Sequence, residues 1–237
     1  MSEPAISLGF FDPAQELHGI LRTGVAVVYE GASGRTLDET PHITATDTGF
    51  AARCGSEIEL DFEPLSDPAN FGGASARTAR VRGSVLGREI SCFGTIGETR
   101  EAPAWSDLDA VRLVSAVFDE QHAVLAMARR PHGAPGHGDE RVTAHLLAGE
   151  ELMDVEDGRI STVYDGQGRQ RSVGLELWLP GEDFPRRASG SVRAGLSLAL
   201  EGLRVDAALV AWRMDGRDGW GSYEITVHSD ELGGDAA

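Results

Sequence analysis

Residues 191–214 read SVRAGLSLALEGLRVDAALVAWRM. In the first half, Val192, Ala194, Leu196, Leu198 and Leu200 fall on one face of an extended chain, with Arg193, Ser197 and Glu201 on the other. In the second half, Leu203, Val205, Ala207 and Leu209 alternate with Arg204, Asp206 and Ala208. An apolar residue at every second position is the period of a half-buried strand, not of a helix. The pattern therefore predicts Val192, Leu196, Leu198 and Leu200 buried, with Arg193 and Glu201 in water.

The same period runs outward from this stretch. Val173, Leu175, Leu177 and Leu179 alternate with Gly174, Glu176 and Trp178. Further strands are expected over residues 20–30, 42–46, 57–64, 77–86, 89–96, 111–120, 122–129, 141–147 and 223–228. Turn chemistry separates them: Glu156-Asp157-Gly158, Asp165-Gly166-Gln167-Gly168 and Asp215-Gly216-Arg217-Asp218-Gly219. Helical turns fit only near residues 12–17 and 105–110. More than ten short strands joined by turns describe an all-β, antiparallel barrel or sandwich. Small barrels take about eight strands, so this many close more easily as two barrels than as one. Alternation breaks around residues 101–108, dividing the chain into residues 1–104 and 105–237. Residues 130–140, RPHGAPGHGDE, read as a long hairpin tip, and the acidic residues 230–237 as a frayed tail.

The 237 residues include 21 arginines, no lysine and 38 carboxylates, a formal net charge of −17. Such a charge repels phosphate backbones and anionic lipid, which argues against nucleic-acid binding and membrane attachment. No apolar run approaches the ~20 residues of a membrane span, and the N-terminal MSEPAISLGFFDPAQEL does not read as a secretory leader. Cys54 and Cys92 are expected to be small buried thiols rather than a bridge, and the protein to be cytoplasmic. No metal is expected. His132 and His137 share a loop with Asp139 and Glu140, but glycine-rich surroundings do not fix a third ligand. The other five histidines are scattered, and no phosphate-cradling loop or G-x-S-x-G elbow is present.

Candidate chemistry gathers in two places. Glu98, Arg100 and Glu101 form the densest charge cluster, followed by Trp105 where the strand pattern breaks. A carboxylate there, held in an apolar cavity, is a candidate general acid; the alternative is a solvated loop with an Arg–carboxylate pair. The second place is the C-terminal hairpin, with Trp212, Trp220, Tyr223 and Glu224. These are candidate ligand contacts; the alternatives are packing between barrels for Trp212 and a hydrogen bond to turn amides for Glu224.

The hairpin Met214-Asp215-Gly216-Arg217-Asp218-Gly219-Trp220-Gly221-Ser222-Tyr223-Glu224 resembles the last hairpin of the lipocalin-like family of carotenoid 1,2-hydratases and AttH-like proteins, a D-G-x-x-G-x-G-x-x-E turn and strand. Tyr164-Asp165-Gly166 with residues 172–179 is similar to that family's second barrel. Phe93-Gly94-Thr95-Ile96-Gly97-Glu98-Thr99-Arg100-Glu101 with Trp105 is similar to its crossover, and Phe10-Phe11-Asp12 through Gly19 with Arg22-Thr23-Gly24 to its first strands. The resemblance implies two fused calycin-type barrels around an apolar cavity for a lipid-like or isoprenoid molecule, with cofactor-free proton transfer in the hydratase members. Their crossover motif, Arg-Asp-His-Ser-Trp-Gly, corresponds here to Arg100-Glu101-Ala102-Pro103-Ala104-Trp105, with Ala102 at the histidine position. The expected function is therefore binding of an isoprenoid, polyketide or steroid-like molecule, with hydration, isomerisation or cyclisation catalysed by Glu98, Arg100 and Glu101. A non-catalytic carrier and a structural protein without ligand are the alternatives.

Overall fold

The computed structural model describes residues 3–166, 168–200 and 202–228. Nineteen strands are present among them, and the helical content is limited to 3-10 turns at Trp105–Asp107 and His137–Asp139. The first half contributes β1 (Ala5–Asp12), β2 (Leu17–Arg22), β3 (Val25–Glu30), β4 (Ser33–Thr36), β5 (His42–Thr46), β6 (Gly49–Cys54), β7 (Ile58–Pro64), β8 (Ala69–Asn70), β9 (Ala74–Val85) and β10 (Arg88–Thr99). The second half contributes β11 (Leu108–Asp119), β12 (His122–Pro131), β13 (Arg141–Ala148), β14 (Glu151–Asp154), β15 (Asp157–Tyr164), β16 (Gln170–Trp178), β17 (Arg186–Leu200), β18 (Leu203–Met214) and β19 (Arg217–His228).

These strands make two curled antiparallel sheets with one wiring diagram. The first runs β4-β3-β2-β1-β10-β9-β7-β6-β5, with β8 added to β9; the second runs β14-β13-β12-β11-β19-β18-β17-β16-β15. In each, the first strand of the half pairs with its last. Each sheet curls around its own apolar core, one holding Leu8, Phe10, Leu60, Phe62 and Val81, the other Val124, Leu175, Leu177, Val210 and Trp212. The fold is thus all-β and two-barrelled, as the alternation and the resemblance predict.

Two further apolar clusters join residues of both sheets. Phe11, Val27 and Tyr29 meet Val117, Leu147 and Leu209 in one, and Ala69 and Phe71 meet Val111, Leu125 and Met127 in the other. The outer faces of the two half-barrels therefore pack on each other, and this alters the burial of residues 191–214. Leu196 and Leu198 are half-buried in the seam, not in a barrel interior. The cause is a bulge in β17. Val192 pairs with Val210 and Ala194 with Leu209, leaving Arg193 unpaired. One extra residue moves every following side chain to the opposite face. Ala188 and Val192 point into the second core, whereas Ala194, Leu196 and Leu198 point into the seam. Strand β18 is buried on both faces over Ala207–Val210, with Ala208 and Val210 in the second core and Leu209 in the seam. Arg193 is exposed, as expected; Glu201 and residues 230–237 lie outside the described residues.

The stretch expected as one strand over residues 20–30 is the hairpin β2–β3, turning at Gly24 with φ +93°. The turn at Asp215-Gly216 is a two-residue one, φ +50° and +78°, so Arg217–Gly219 already belong to β19. Gly221 is required by close approach: a Cβ there would overlap the Ser115 carbonyl oxygen of β11. Gly94 of β10 stands in the same relation to the Gly9 carbonyl of β1.

Candidate functional site

Strand alternation builds the site. Along β1, Leu8 and Phe10 enter the first core, which leaves Ser7 and Gly9 on the outer face. Their cross-strand neighbours Arg22 and Ile20 on β2, and Gly97 and Thr95 on β10, share that face. Opposite lie the outward residues of the second sheet: Leu113 and Ser115 of β11, Leu125 and Met127 of β12, and Ser222 and Glu224 of β19. Together they enclose a cavity of about 370 Å³ at the junction of the half-barrels, which Ala102 and Pro103 of the crossover also line. That volume suits a small apolar ligand. Gly97 helps to create the space, since a Cβ there would find nothing closer than 3.5 Å.

Phe71 closes one side. The carbonyls of its segment are held by the second half. His145 Nε2 lies 2.9 Å from the Asn70 oxygen, while Arg129 Nη2 donates to the carbonyls of Phe71 and Gly72 at 2.5 and 2.9 Å.

Only three charged residues line the cavity among the described residues: Arg22, Glu98 and Glu224. Arg22 pairs with Glu224 Oε2 and donates through Nε to Ser7 Oγ at 3.3 Å. Glu98 Oε1 accepts from Arg77 Nη2 at 2.7 Å, and its Oε2 faces Arg100 Nη2 at 3.7 Å. Ser115 and Ser222 hold each other, with 3.0 Å between their hydroxyl oxygens and a 3.0 Å bond from the Ser222 amide to Ser115 Oγ. Beyond Ile20, Tyr29 donates to the Ala207 carbonyl at 3.2 Å. Burial pushes its hydroxyl pKa up, with the Glu224 carboxylate adding to the rise.

The expected site residues are distributed unevenly around this cavity. Glu98 and Glu224 line it. Arg100 and Glu101 are exposed at the rim, Arg100 reaching back towards Glu98 and Glu101 packing beside Gly73. Trp105 starts the 3-10 turn and packs edge-on against His228, at 5.5 Å between rings. Trp220 lies in the seam, stacked on His18 at 4.8 Å. Trp212 and Tyr223 point into the core of the second half-barrel.

Tyr223 there belongs to a buried polar cluster that sequence reasoning missed. Arg112 forms an ion pair with Glu140 in which both side chains are 1% exposed. It also donates to Tyr223 Oη at 3.1 Å, Thr162 Oγ1 at 3.2 Å and the Ile160 carbonyl at 3.1 Å. Arg22, Ser7, Ser115 and Phe71 were missed as well. No local signal could have found the Arg22–Glu224 pair, because its members are 202 positions apart. Among the described residues no three His, Cys, Asp or Glu side chains are grouped to hold a metal ion. His132 Nδ1 sits 2.7 Å from Asp109 Oδ1, and the side chain of His137 lies outside the described residues.

The two-sheet arrangement superimposes on several solved structures, among them the following three. Kievitone hydratase from Nectria haematococca matches with a TM-score of 0.59 and 10% identity, covering 96% of this chain and 89% of that one. An AttH-like protein from Nitrosomonas europaea gives 0.63 and 12%, covering 94% and 91%. CghA gives 0.65 and 11%, covering 96% and 88%. This chain shares their fold. It is the lipocalin-like fold that the C-terminal hairpin pointed to. No family model and no curated protein matches the sequence. At such identities the likeness speaks for the fold alone.

Proposed function

We propose that this protein binds an apolar small molecule of isoprenoid, polyketide or steroid size in the junction cavity, and that a cavity carboxylate moves a proton on it without a cofactor. The reaction class is hydration, isomerisation or cyclisation. The observation that supports this reading is an apolar enclosure of about 370 Å³ whose charged lining, among the described residues, is Arg22, Glu98 and Glu224 alone. An apolar wall with a few convergent polar groups binds by area and orients by hydrogen bonds. The shared fold with a protein named as a hydratase agrees with it. No helix among the described residues is long and apolar enough to cross a membrane. Cys54 and Cys92 are free thiols, which suits a reducing, cytoplasmic setting.

The test is saturable binding of the uncharged fluorophore N-phenyl-1-naphthylamine, with Gly97→Phe as the cavity-filling variant. The wild type is expected to bind it, and the variant to lose most of that affinity while melting close to the wild-type temperature. Equal binding by both proteins would place any ligand elsewhere.

A further inference from the structure

We infer that Glu224 is the proton-transfer base of the junction cavity, with Oε1 as the reacting atom and Arg22 as the group that positions it. This rests on the ligand-binding reading above and adds to it a residue and a reaction class, in which removal of a proton from the bound molecule leads the chemistry.

The two cavity carboxylates differ in what they have left to offer. Glu98 has both oxygens turned to guanidinium groups, Arg77 on one and Arg100 on the other. Glu224 has only Oε2 engaged, by Arg22. Its Oε1 accepts no hydrogen bond among the described residues, yet it is not one of the atoms sealed inside the protein. The side chain is 5% exposed and lines the cavity, so Oε1 opens onto the cavity rather than onto bulk water.

Three polar neighbours have partners of their own. Ser115 and Ser222 bond each other, and Tyr29 donates to the Ala207 carbonyl. Arg22 donates in turn to Ser7 Oγ, so the carboxylate and its partner are anchored on the cavity wall. Leu113 and Leu125 line the same space, so an apolar molecule seated against them would lie next to the oxygen that no protein donor occupies.

In the base step one C–H or O–H bond of the substrate breaks and an O–H bond forms at Glu224 Oε1. The electron pair stays on the substrate, where it delocalises into a conjugated carbonyl or closes a ring onto a carbon–carbon double bond. The proton then returns from Oε1 to another carbon of the same molecule, so no co-reactant is consumed. Isomerisation and cyclisation fit this sequence.

The probe is 5-nitrobenzisoxazole. Loss of its C3 proton to a carboxylate opens the N–O bond and releases 2-cyano-4-nitrophenolate, which is read by its absorbance. The wild type should turn the probe over faster than acetate does per carboxylate, and Glu224→Gln should lower kcat/KM by about 10²-fold or more. Glu224→Asp keeps the charge but shortens the reach, and should fall between the two. Glu98→Gln should cost less than Glu224→Gln. Glu57→Gln, at an exposed pair with Arg35, should cost nothing. Arg22→Met should lower kcat with little change in KM, and Arg22→Lys should restore part of it.

Binding of N-phenyl-1-naphthylamine is measured in every variant to show that the cavity is intact. Wild-type protein that binds the dye but does not outpace acetate overturns the base and leaves the cavity reading standing. Equal rates for wild type and Glu224→Gln, or a larger loss at Glu98, also overturn the base. Absence of dye binding overturns both readings.

Discussion

His18 shows at the scale of one residue how the seam between the half-barrels constrains chemistry. It is buried on β2, stacks on Trp220 and has an Nδ1 without a hydrogen-bond partner among the described residues. Burial pushes its imidazole from 6.5 down to about 4. The folded protein therefore keeps His18 neutral over a range in which the unfolded chain takes up a proton. The contribution of His18 to stability is complete above about pH 6.5, is lost as the pH falls to about 4, and changes no further below that. The loss from this one group is about 3 kcal/mol, roughly 6–12 °C in melting temperature for a chain of this size. His18→Phe keeps a ring on Trp220 and removes the proton. Melting curves of the two proteins should converge or cross between pH 7 and pH 4 by about that amount. Parallel curves would mean that His18 is not held neutral. Residues of this kind are poorly legible in a sequence. His18 and Arg22 look like ordinary polar members of an alternating strand, and only the second sheet makes one buried and the other an ion-pair partner.

Elements were the most legible level, and their misreadings share one cause. The alternation in residues 191–214 is real, but its period says which residues share a face and not what the face meets. In β17 the bulge at Arg193 hands the apolar face from the barrel interior to the seam without interrupting the pattern. The β2–β3 hairpin merged into one expected strand because Val25–Glu30 is apolar nearly throughout, buried on both faces by core and seam. The bulge leads to a comparison of two single-residue deletions. Removing Arg193 lets β17 run straight, with Val192 still facing inward and Leu196 and Leu198 still facing the seam. Removing Gly195 inverts everything after it and sends both leucines to the wrong face. Deletion of Arg193 is expected to give folded, soluble protein, and deletion of Gly195 to give aggregated protein. A Gly195 deletion melting at or above the Arg193 deletion would show that the bulge does not set the face.

The whole molecule is one wiring diagram used twice, in a chain that shows no clear internal sequence repeat. What the halves share is backbone geometry: four strands, then five, with first and last paired, and a glycine in the last strand where the first comes too close for a Cβ. Many sequences satisfy that demand, which is why the duplication is visible in topology and not in residue identity. The cavity belongs to neither half, since Arg22 and Glu98 come from one and Glu224, Leu113 and Leu125 from the other. If the halves divide at residue 104, fragments 1–104 and 105–237 each carry a barrel core of their own but expose the seam clusters around Phe11 and Tyr29, and around Leu125 and Met127. Large exposed apolar patches drive association. Each fragment alone should therefore self-associate and bind no N-phenyl-1-naphthylamine specifically, while the two co-expressed fragments should co-purify in equal amounts and regain saturable binding. Glu224→Arg in the second fragment sets like charge against Arg22 across the seam and should weaken the reassembly. Either fragment binding the dye with wild-type affinity on its own would move the ligand site from the junction into a single barrel.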